Sequence, residues 1–360
     1  MWSLAIRSLL CDTLEIEPTL ARRDRTFWGE DLPAEIDALT EAAPSGVQPS
    51  SWANDQVICT LFEGDYHLGV AVLINSIVAN GFRGLFWVGY RGNLPPWLDQ
   101  LTKCSEGLYQ VGEAVLTFEL LDAEIHFTHF KPAFMNSLID RRIATCSLWY
   151  FDPDITVRCS WNFYERWAKF GVCLCQDVTM GSMPSDHPLR LEWIELAHQA
   201  GWPAPVRKQE RYYNGGFLGL QIDRKVFLDT WERANELARA YGVNHSEFQT
   251  GDRANTFQFA DQDALNITVM FADVPLSTIG PEGMGWINGG YTMYHSAGGS
   301  KPWRKKFLRS ALAAKPPWNG DKHFLQHADG AIKPFSPAKL RRMRRAERLG
   351  SIIGRFYHRQ

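Results

Sequence analysis

Two carboxylates one proline apart, Asp152-Pro153-Asp154, close the apolar run Leu148-Trp149-Tyr150-Phe151. Along extended backbone, residues i and i+2 point to the same side. Asp152 and Asp154 can therefore share one target, with Pro153 stiffening the backbone between them. Two carboxylates held together repel unless a cation lies between them. The chemistry they suit is a hard divalent metal with oxygen ligands at the mouth of a sheet. The same residues also suit a polar turn where a buried strand reaches the surface.

Three later stretches carry further candidate groups. His295-Ser-Ala-Gly298-Gly299-Ser-Lys301-Pro-Trp303 puts an imidazole, a Gly-rich turn and an ammonium within seven residues. A neutral imidazole can ligate Mn²⁺. Glycine lets backbone N–H groups approach an anion, and lysine binds phosphate as a point charge. Together they would grip a metal-bound diphosphate; a solvated Gly/Ser loop has the same composition. Asn214-Gly215-Gly216 would let backbone pack against a sugar or ribose, and it also reads as an Asn-Gly turn. Asp261-Gln262-Asp263-Ala-Leu-Asn266 reads as a helix start with Asp261 as N-cap, or as a carboxylate and an amide at a site edge.

The elements that must position these groups alternate between strand and helix. Val57 to Phe62 is a short apolar run, the length of a buried strand. Tyr66 to Ala79 has apolar residues at helical spacing, and Leu85 to Tyr90 reads as a second strand. Strand, helix, strand is the start of an α/β domain with a parallel sheet, whose ligand end is the C-terminal edge of its strands. Leu94 to Leu101 reads as a short helix. Ala114 to Phe118 and Glu124 to Phe130 are strands or helix edges. Lys131 to Asp140 is helical in period, and 147–151 is the strand that delivers Asp152. Helices are expected at 162–170, 190–200 and 225–241, strands at 172–176 and before Ile222, and a mobile Gly-rich loop at 280–290.

The chain has 360 residues, 45% hydrophobic and 22% charged, an ordinary balance for a folded protein able to bury a sizeable core. The net charge of −2 hides an asymmetry. Residues 301–360 hold sixteen Lys/Arg and three Asp/Glu, whereas residues 1–300 hold 22 and 37. A basic end on an acidic body points to a polyanionic surface as its partner. Seven cysteines in no framework spacing suggest reduced thiols and a cytoplasmic chain. No targeting segment is expected, and no stretch is apolar enough to span a bilayer.

The order of these motifs resembles the GT-A glycosyltransferases, in particular the retaining family-8-like enzymes that use UDP-sugars. The resemblance runs over about residues 55–305: Thr60 with Glu63-Gly64-Asp65, then Asp152-Pro153-Asp154, Asn214-Gly215-Gly216, Asp261-Gln262-Asp-Ala-Leu-Asn266 and His295-x-x-Gly298-x-x-Lys301-Pro-Trp303. It implies a GT-A (Rossmann-like) α/β fold with a mixed, mostly parallel sheet flanked by helices. Asp152, Asp154 and His295 match the metal ligands, with Mn²⁺ preferred and Mg²⁺ as the alternative. Lys301 and the Gly298 backbone match the diphosphate contacts. Thr60 and Asp65 fall where the family holds base and ribose. Lys131 falls upstream of the acidic pair, where the family often has a basic donor contact. Asn214, Gly215 and Gly216 match the N-[AG]-G motif, and Asp261 and Gln262 match the pair nearest the transferred sugar. Phe62-Glu63-Gly64 departs from the family's small-residue base pocket, and residues 173–188 have no counterpart; they suit the acceptor side.

The expected organisation is an N-terminal extension and linker (1–52), a glycosyltransferase domain (53–306) and a basic C-terminal extension (307–360). The expected reaction moves a sugar from a nucleotide-sugar donor to a carbohydrate or lipid-linked hydroxyl acceptor. The extension would hold the enzyme on the inner face of an anionic membrane, or be a solvated or partner-binding helix; nucleic acid is an unlikely partner. The rival readings are a nucleotide-sugar-binding protein without turnover and a nucleotidyltransferase. The latter normally has a Gly-rich basic loop after its first strand, and Leu61 to Gly69 lacks the basic residue.

Overall fold

The first strand, β1 (Gln56–Glu63), is buried at all six interior positions, which is why it reads as a continuous apolar run. The computed structural model describes residues 55–181, 183–248 and 255–356. The expected extension over 1–52 lies outside the described residues. After β1 come helix α1 (His67–Ala79), β2 (Leu85–Arg91), a hairpin of β3 (Thr102–Ser105) and β4 (Leu108–Val111), and β5 (Ala114–Leu120). Then follow α2 (Phe127–Asp140), β6 (Ser147–Phe151), β7 (Ile155–Val157), α3 (Trp161–Phe170), β8 (Val172–Cys175) and α4 (Pro188–Gln199). The chain continues with β9 (Phe217–Gln221), α5 (Val226–Ala240), α6 (Ala260–Phe271), β10 (Leu276–Ile279) and β11 (Met293–His295). It ends with α7 (Phe307–Leu312), α8 (Asn319–His327) and α9 (Pro337–Gly354).

Nine strands form one sheet in the order β10-β8-β9-β6-β1-β2-β5-β4-β3. The central strands β6, β1, β2 and β5 are parallel. β9 runs antiparallel to both β6 and β8, and β4 antiparallel to β5. The sheet is thus mixed and mostly parallel, as expected. β6 lies between β9 and the central β1, so Asp152 emerges at a C-terminal strand edge with strands on both sides. Separate apolar clusters cover the two faces: one with α2 and α5 (Phe134, Leu138, Trp231), the other with α1 and α3 (Val70, Ile74, Trp161, Tyr164).

A separate two-stranded ladder does the long-range work. β7 pairs antiparallel with β11, with Ile155 opposite His295 and Thr156 opposite Tyr294. The Ser296 N–H donates to the Asp154 carbonyl at 3.1 Å. His295 is thereby set beside Asp154. Neither three-residue strand was legible in the sequence.

The residues after 306 fold against the body. Phe307, Phe324, Leu325, Phe335 and Leu340 form a cluster with Val72 and Trp303. Asn75, in the middle of the apolar α1, is the polar anchor of this contact. Its amide donates to the carbonyls of His327 (2.8 Å) and Ile332 (2.7 Å) and accepts from the Ile332 N–H (2.9 Å). A buried amide with three such bonds is satisfied in place, so the polar residue in an apolar helix costs little. His323 of α8 meets the Thr156 hydroxyl on β7 at 2.8 Å.

Three local expectations differ. Residues 94–101 give only a short 3₁₀ turn at Leu98–Gln100, since two prolines leave too few residues for a helix. Asp261 is not the cap of α6: Phe259 holds that position, and the Asp263 carboxylate takes the Gln258 and Phe259 N–H groups instead. The Gly-rich loop at 280–290 is a built turn, with a 3₁₀ segment Pro281–Met284 and Gly285 in the left-handed region (φ +74°). There a Cβ on Gly290 would overlap the Glu282 carbonyl, so glycine serves close packing. The six described cysteines are free.

Candidate active site

Asp152, Asp154 and His295 converge: one ligand atom from each lies within 4.8 Å of the others. Among the described residues no other trio of His, Cys, Asp or Glu side chains does so. His295 Nε2 is 3.3 Å from Asp154 Oδ1 and 3.7 Å from Asp152 Oδ2. Its Nδ1 faces the buried Met284 sulfur at 3.4 Å, and its carbonyl accepts from the Trp286 indole at 3.0 Å. Met284 and Trp286 come from the Gly-rich turn, which therefore cradles the imidazole.

Two lysines hold the carboxylates, Lys301 on Asp154 and Lys131 on Asp152. Lys301 Nζ lies 2.6 Å from Asp154 Oδ2 and 3.2 Å from the Ser296 carbonyl. Burial alone would raise the Asp154 pKa, but His295 and Lys301 override it and hold the carboxyl well below its usual range. Lys131, on α2, is 3% exposed and reaches Asp152 Oδ1 (3.2 Å), Asp261 Oδ2 (3.7 Å) and the Gly215 carbonyl (2.9 Å). Burial works to lower the Lys131 pKa, yet the two carboxylates leave it raised. Burial raises Asp261 despite Lys131.

The third shelf is a set of amide bonds. The Gln262 side-chain oxygen accepts from Asn214 Nδ2 (2.9 Å) and from the Gly215 N–H (3.0 Å), and Asn214 Oδ1 accepts from the Gly216 N–H (2.9 Å). A Cβ on Gly216 would lie 2.4 Å from His295 Cε1 and 2.7 Å from Asp152 Oδ2, so only glycine fits there. Trp303 fixes the outer wall: a Cβ on Gly69 would lie 2.9 Å from its ring and 2.3 Å from the Pro153 carbonyl.

Asp152, Asp154, His295, Lys301, Lys131, Asp261, Gln262, Asn214, Gly215 and Gly216 thus form one network. Thr60, Asp65 and Gly298 lie outside it. Thr60 ends buried on β1, and its hydroxyl makes no hydrogen bond among the described residues. Asp65 pairs with Arg304, which holds its carboxyl below the usual range. Gly298 and Gly299 both take positive φ (+66° and +45°) in an exposed turn.

Sequence reasoning missed Tyr150, Asp177 and Met284. Tyr150 donates to Asp152 Oδ1 at 2.9 Å, and strand alternation from Asp152 could have found it. Asp177 is 3% exposed and accepts from Asn214 Nδ2 at 2.7 Å; nothing in its neighbourhood marks it. It lines a cleft of about 400 Å³ with Gln176, Glu210 and Arg211.

The donor set fits a divalent metal. Two carboxylate oxygens and an imidazole nitrogen suit such ions, and the absent Cβ of Gly216 leaves room between them.

Comparison with solved structures finds a known fold. The bifunctional glycosyltransferase WbbM matches at a TM-score of 0.50 and 14% identity over 83% of this chain. The fold is GT-A. The chain spans about half of the WbbM structure, 53% of its length. Weaker likenesses to GT-A-type glycosyltransferases are LgtC (TM-score 0.47, 15% identity, 80% of this chain and 99% of that one) and GlyE from Streptococcus pneumoniae (0.46, 10%, 83% and 64%). No protein-family model and no curated protein matches the sequence. In GT-A terms, the acidic pair sits at the C-terminal edge of the central sheet, where open α/β sheets bind ligands.

Proposed function

We propose that the chain is a metal-dependent glycosyltransferase that moves a sugar from a nucleoside-diphosphate sugar, UDP-linked by preference, to a hydroxyl of a glycan or glycolipid precursor. One observation carries the reading. In a GT-A fold, Asp152, Asp154 and His295 converge with Lys301 and Lys131 at the end of β6, beside the central strand. Asp152, Asp154 and His295 would hold the metal, which supplies Lewis-acid polarisation of the diphosphate leaving group. Lys301, beside Asp154, is placed to take up charge that develops on the leaving diphosphate. Asp261 and Gln262 would face the transferred sugar. Gln262 is a poor nucleophile and its oxygen is already bonded to Asn214 and Gly215. We therefore assign it an orienting role and favour same-face attack with retention, Asp261 stabilising positive charge on the sugar. Thr60, Asp65 and the Gly298 turn would take base, ribose and diphosphate.

The test is a panel of nucleotide-sugars with Mn²⁺. A donor at 100 times its dissociation constant should add about 2.7 kcal/mol by mass action. It should raise the melting temperature and undergo slow hydrolysis, and chelator should remove both effects. Stabilisation without hydrolysis or transfer would favour a binding protein; no response to any donor would refute the reading.

The basic C-terminal helix carries a second part of the proposal. Arg341, Arg345, Arg348 and Ile352 of α9 share one exposed face, with Arg342, Leu349 (51% exposed) and Phe356 (83%) beside it. Arg344 instead turns inward to the Leu325 carbonyl. Among the described residues no helix is long and apolar enough to cross a membrane. We assign the exposed face to peripheral contact with an anionic bilayer, each Arg contributing about 1 kcal/mol near the surface. Vesicles rich in phosphatidylserine should float the protein at low salt. Replacing Arg341, Arg342, Arg345 and Arg348 by Ser should abolish flotation. Undiminished flotation would remove the helix from the interaction.

A further inference from the structure

Each acidic ligand of the site has one oxygen occupied and one left facing His295. Asp154 Oδ2 is held by Lys301, and its Oδ1 faces the imidazole at 3.3 Å. Asp152 Oδ1 accepts from the Tyr150 hydroxyl at 2.9 Å and from Lys131 at 3.2 Å, and its Oδ2 faces the imidazole at 3.7 Å. A carboxylate with one oxygen in two hydrogen bonds offers the other alone.

Tyr150 is well placed to enforce this. Its side chain is buried, 2% exposed. Its backbone is fixed on both sides, with Tyr150 opposite Cys59 of β1 and Leu218 of β9. The Lys131 ammonium stands 5.2 Å over its ring. Lys131 is shared with Asp261 and the Gly215 carbonyl, so its hold on Asp152 is divided. The hydroxyl makes no second bond among the described residues.

We propose that Tyr150 is a positioning residue that restricts Asp152 to single-oxygen ligation and so biases the site against calcium. Ca²⁺ takes six to eight oxygens at longer distances and commonly uses both oxygens of a carboxylate; smaller ions take fewer, closer ligands. Releasing Oδ1 lets Asp152 close on an ion with both oxygens, which suits Ca²⁺ and misplaces Oδ2 for Mn²⁺. This inference rests on the metal reading above.

The full chain is titrated with Mn²⁺, free ion being read by electron paramagnetic resonance, and Ca²⁺ is measured by competition. The native protein should prefer Mn²⁺ at least about 10-fold. Tyr150→Phe keeps the ring, so its melting temperature in chelator should fall by less than about 5 °C. Its Mn²⁺ dissociation constant should rise about 10–100-fold, the usual effect of losing an outer partner of a ligand. Its Ca²⁺ affinity should hold or increase. Equal loss for both ions, no change for either, or equal native affinity for the two ions would overturn the role of Tyr150. Failure of the native protein to bind Mn²⁺ at all would overturn the metal reading itself.

Discussion

Asp154→Asn should lower kcat/KM for sugar transfer with Mn²⁺ by at least about 10³-fold, on the order of 4 kcal/mol of transition-state stabilisation. The change keeps the side chain's shape and removes its charge. Asp154 is 4% exposed and faces both His295 and Lys301. Without it the remaining carboxylate and imidazole form too weak a donor set to hold a divalent ion. Lys301, itself largely buried, loses its counter-charge, and breaking one side of a buried pair costs about 3–5 kcal/mol of stability. Turnover and urea denaturation measure the two effects separately. If the variant keeps more than a tenth of native turnover, Asp154 is not a metal ligand.

Lys131→Met should be as damaging, with a distinctive pH dependence. The ammonium sits between Asp152 and Asp261 and is nearly inaccessible to water. Its removal leaves two carboxylates close together without a cation, and we expect about 3–5 kcal/mol of lost stability at pH 8. Burial already raises the Asp261 carboxyl, against the pull of Lys131. Without that pull its folded-state pKa rises further above the unfolded value, about 3.9. Between those two values the folded state binds more protons than the unfolded state, so stability falls as pH rises through the window and returns on acidification. Asp154 behaves in the opposite sense, since its carboxyl is depressed. Its contribution is present above the unfolded value and lost only below it. Denaturation at pH 8 and pH 5 therefore reads the Asp261 carboxyl at Lys131. The variant should recover much of its deficit at pH 5; an equal deficit at both pH values would mean that Lys131 acts by packing alone.

The central strands were legible because they are buried on both faces and read as unbroken apolar runs, as β1 and β6 do. The long helices were legible by period. The acidic pair, the imidazole and the glycines stood out because their residue types at those spacings have few uses apart from turns. What escaped was set by tertiary contact. β7 and β11 are three residues each and exist because they pair with each other. Asn75 is a polar residue in the apolar α1, and the partners that explain it lie more than 250 residues downstream. Asp177 sits at the end of β8 in a stretch without a pattern. Lys131 was the least supported of the candidates by sequence, since a lysine on a helix is ordinarily solvated; burial between two carboxylates gives it weight.

The β7–β11 ladder has a consequence for the order of assembly. The two halves of the site are 141 residues apart along the chain, between Asp154 and His295. Closing a loop of that length costs about 4 kcal/mol on the (3/2)RT ln n scale. Three ladder pairs must offset that cost together with the packing behind them. A ribosome that has delivered β6 and β7 has made both carboxylates but not His295. The three candidate ligands therefore come together only after α3 to α6 and β8 to β10 have been synthesised and β11 has found β7. On the metal reading proposed above, the ion would then fasten β6 and β7 to β11, a clasp that closes only once the ladder has formed.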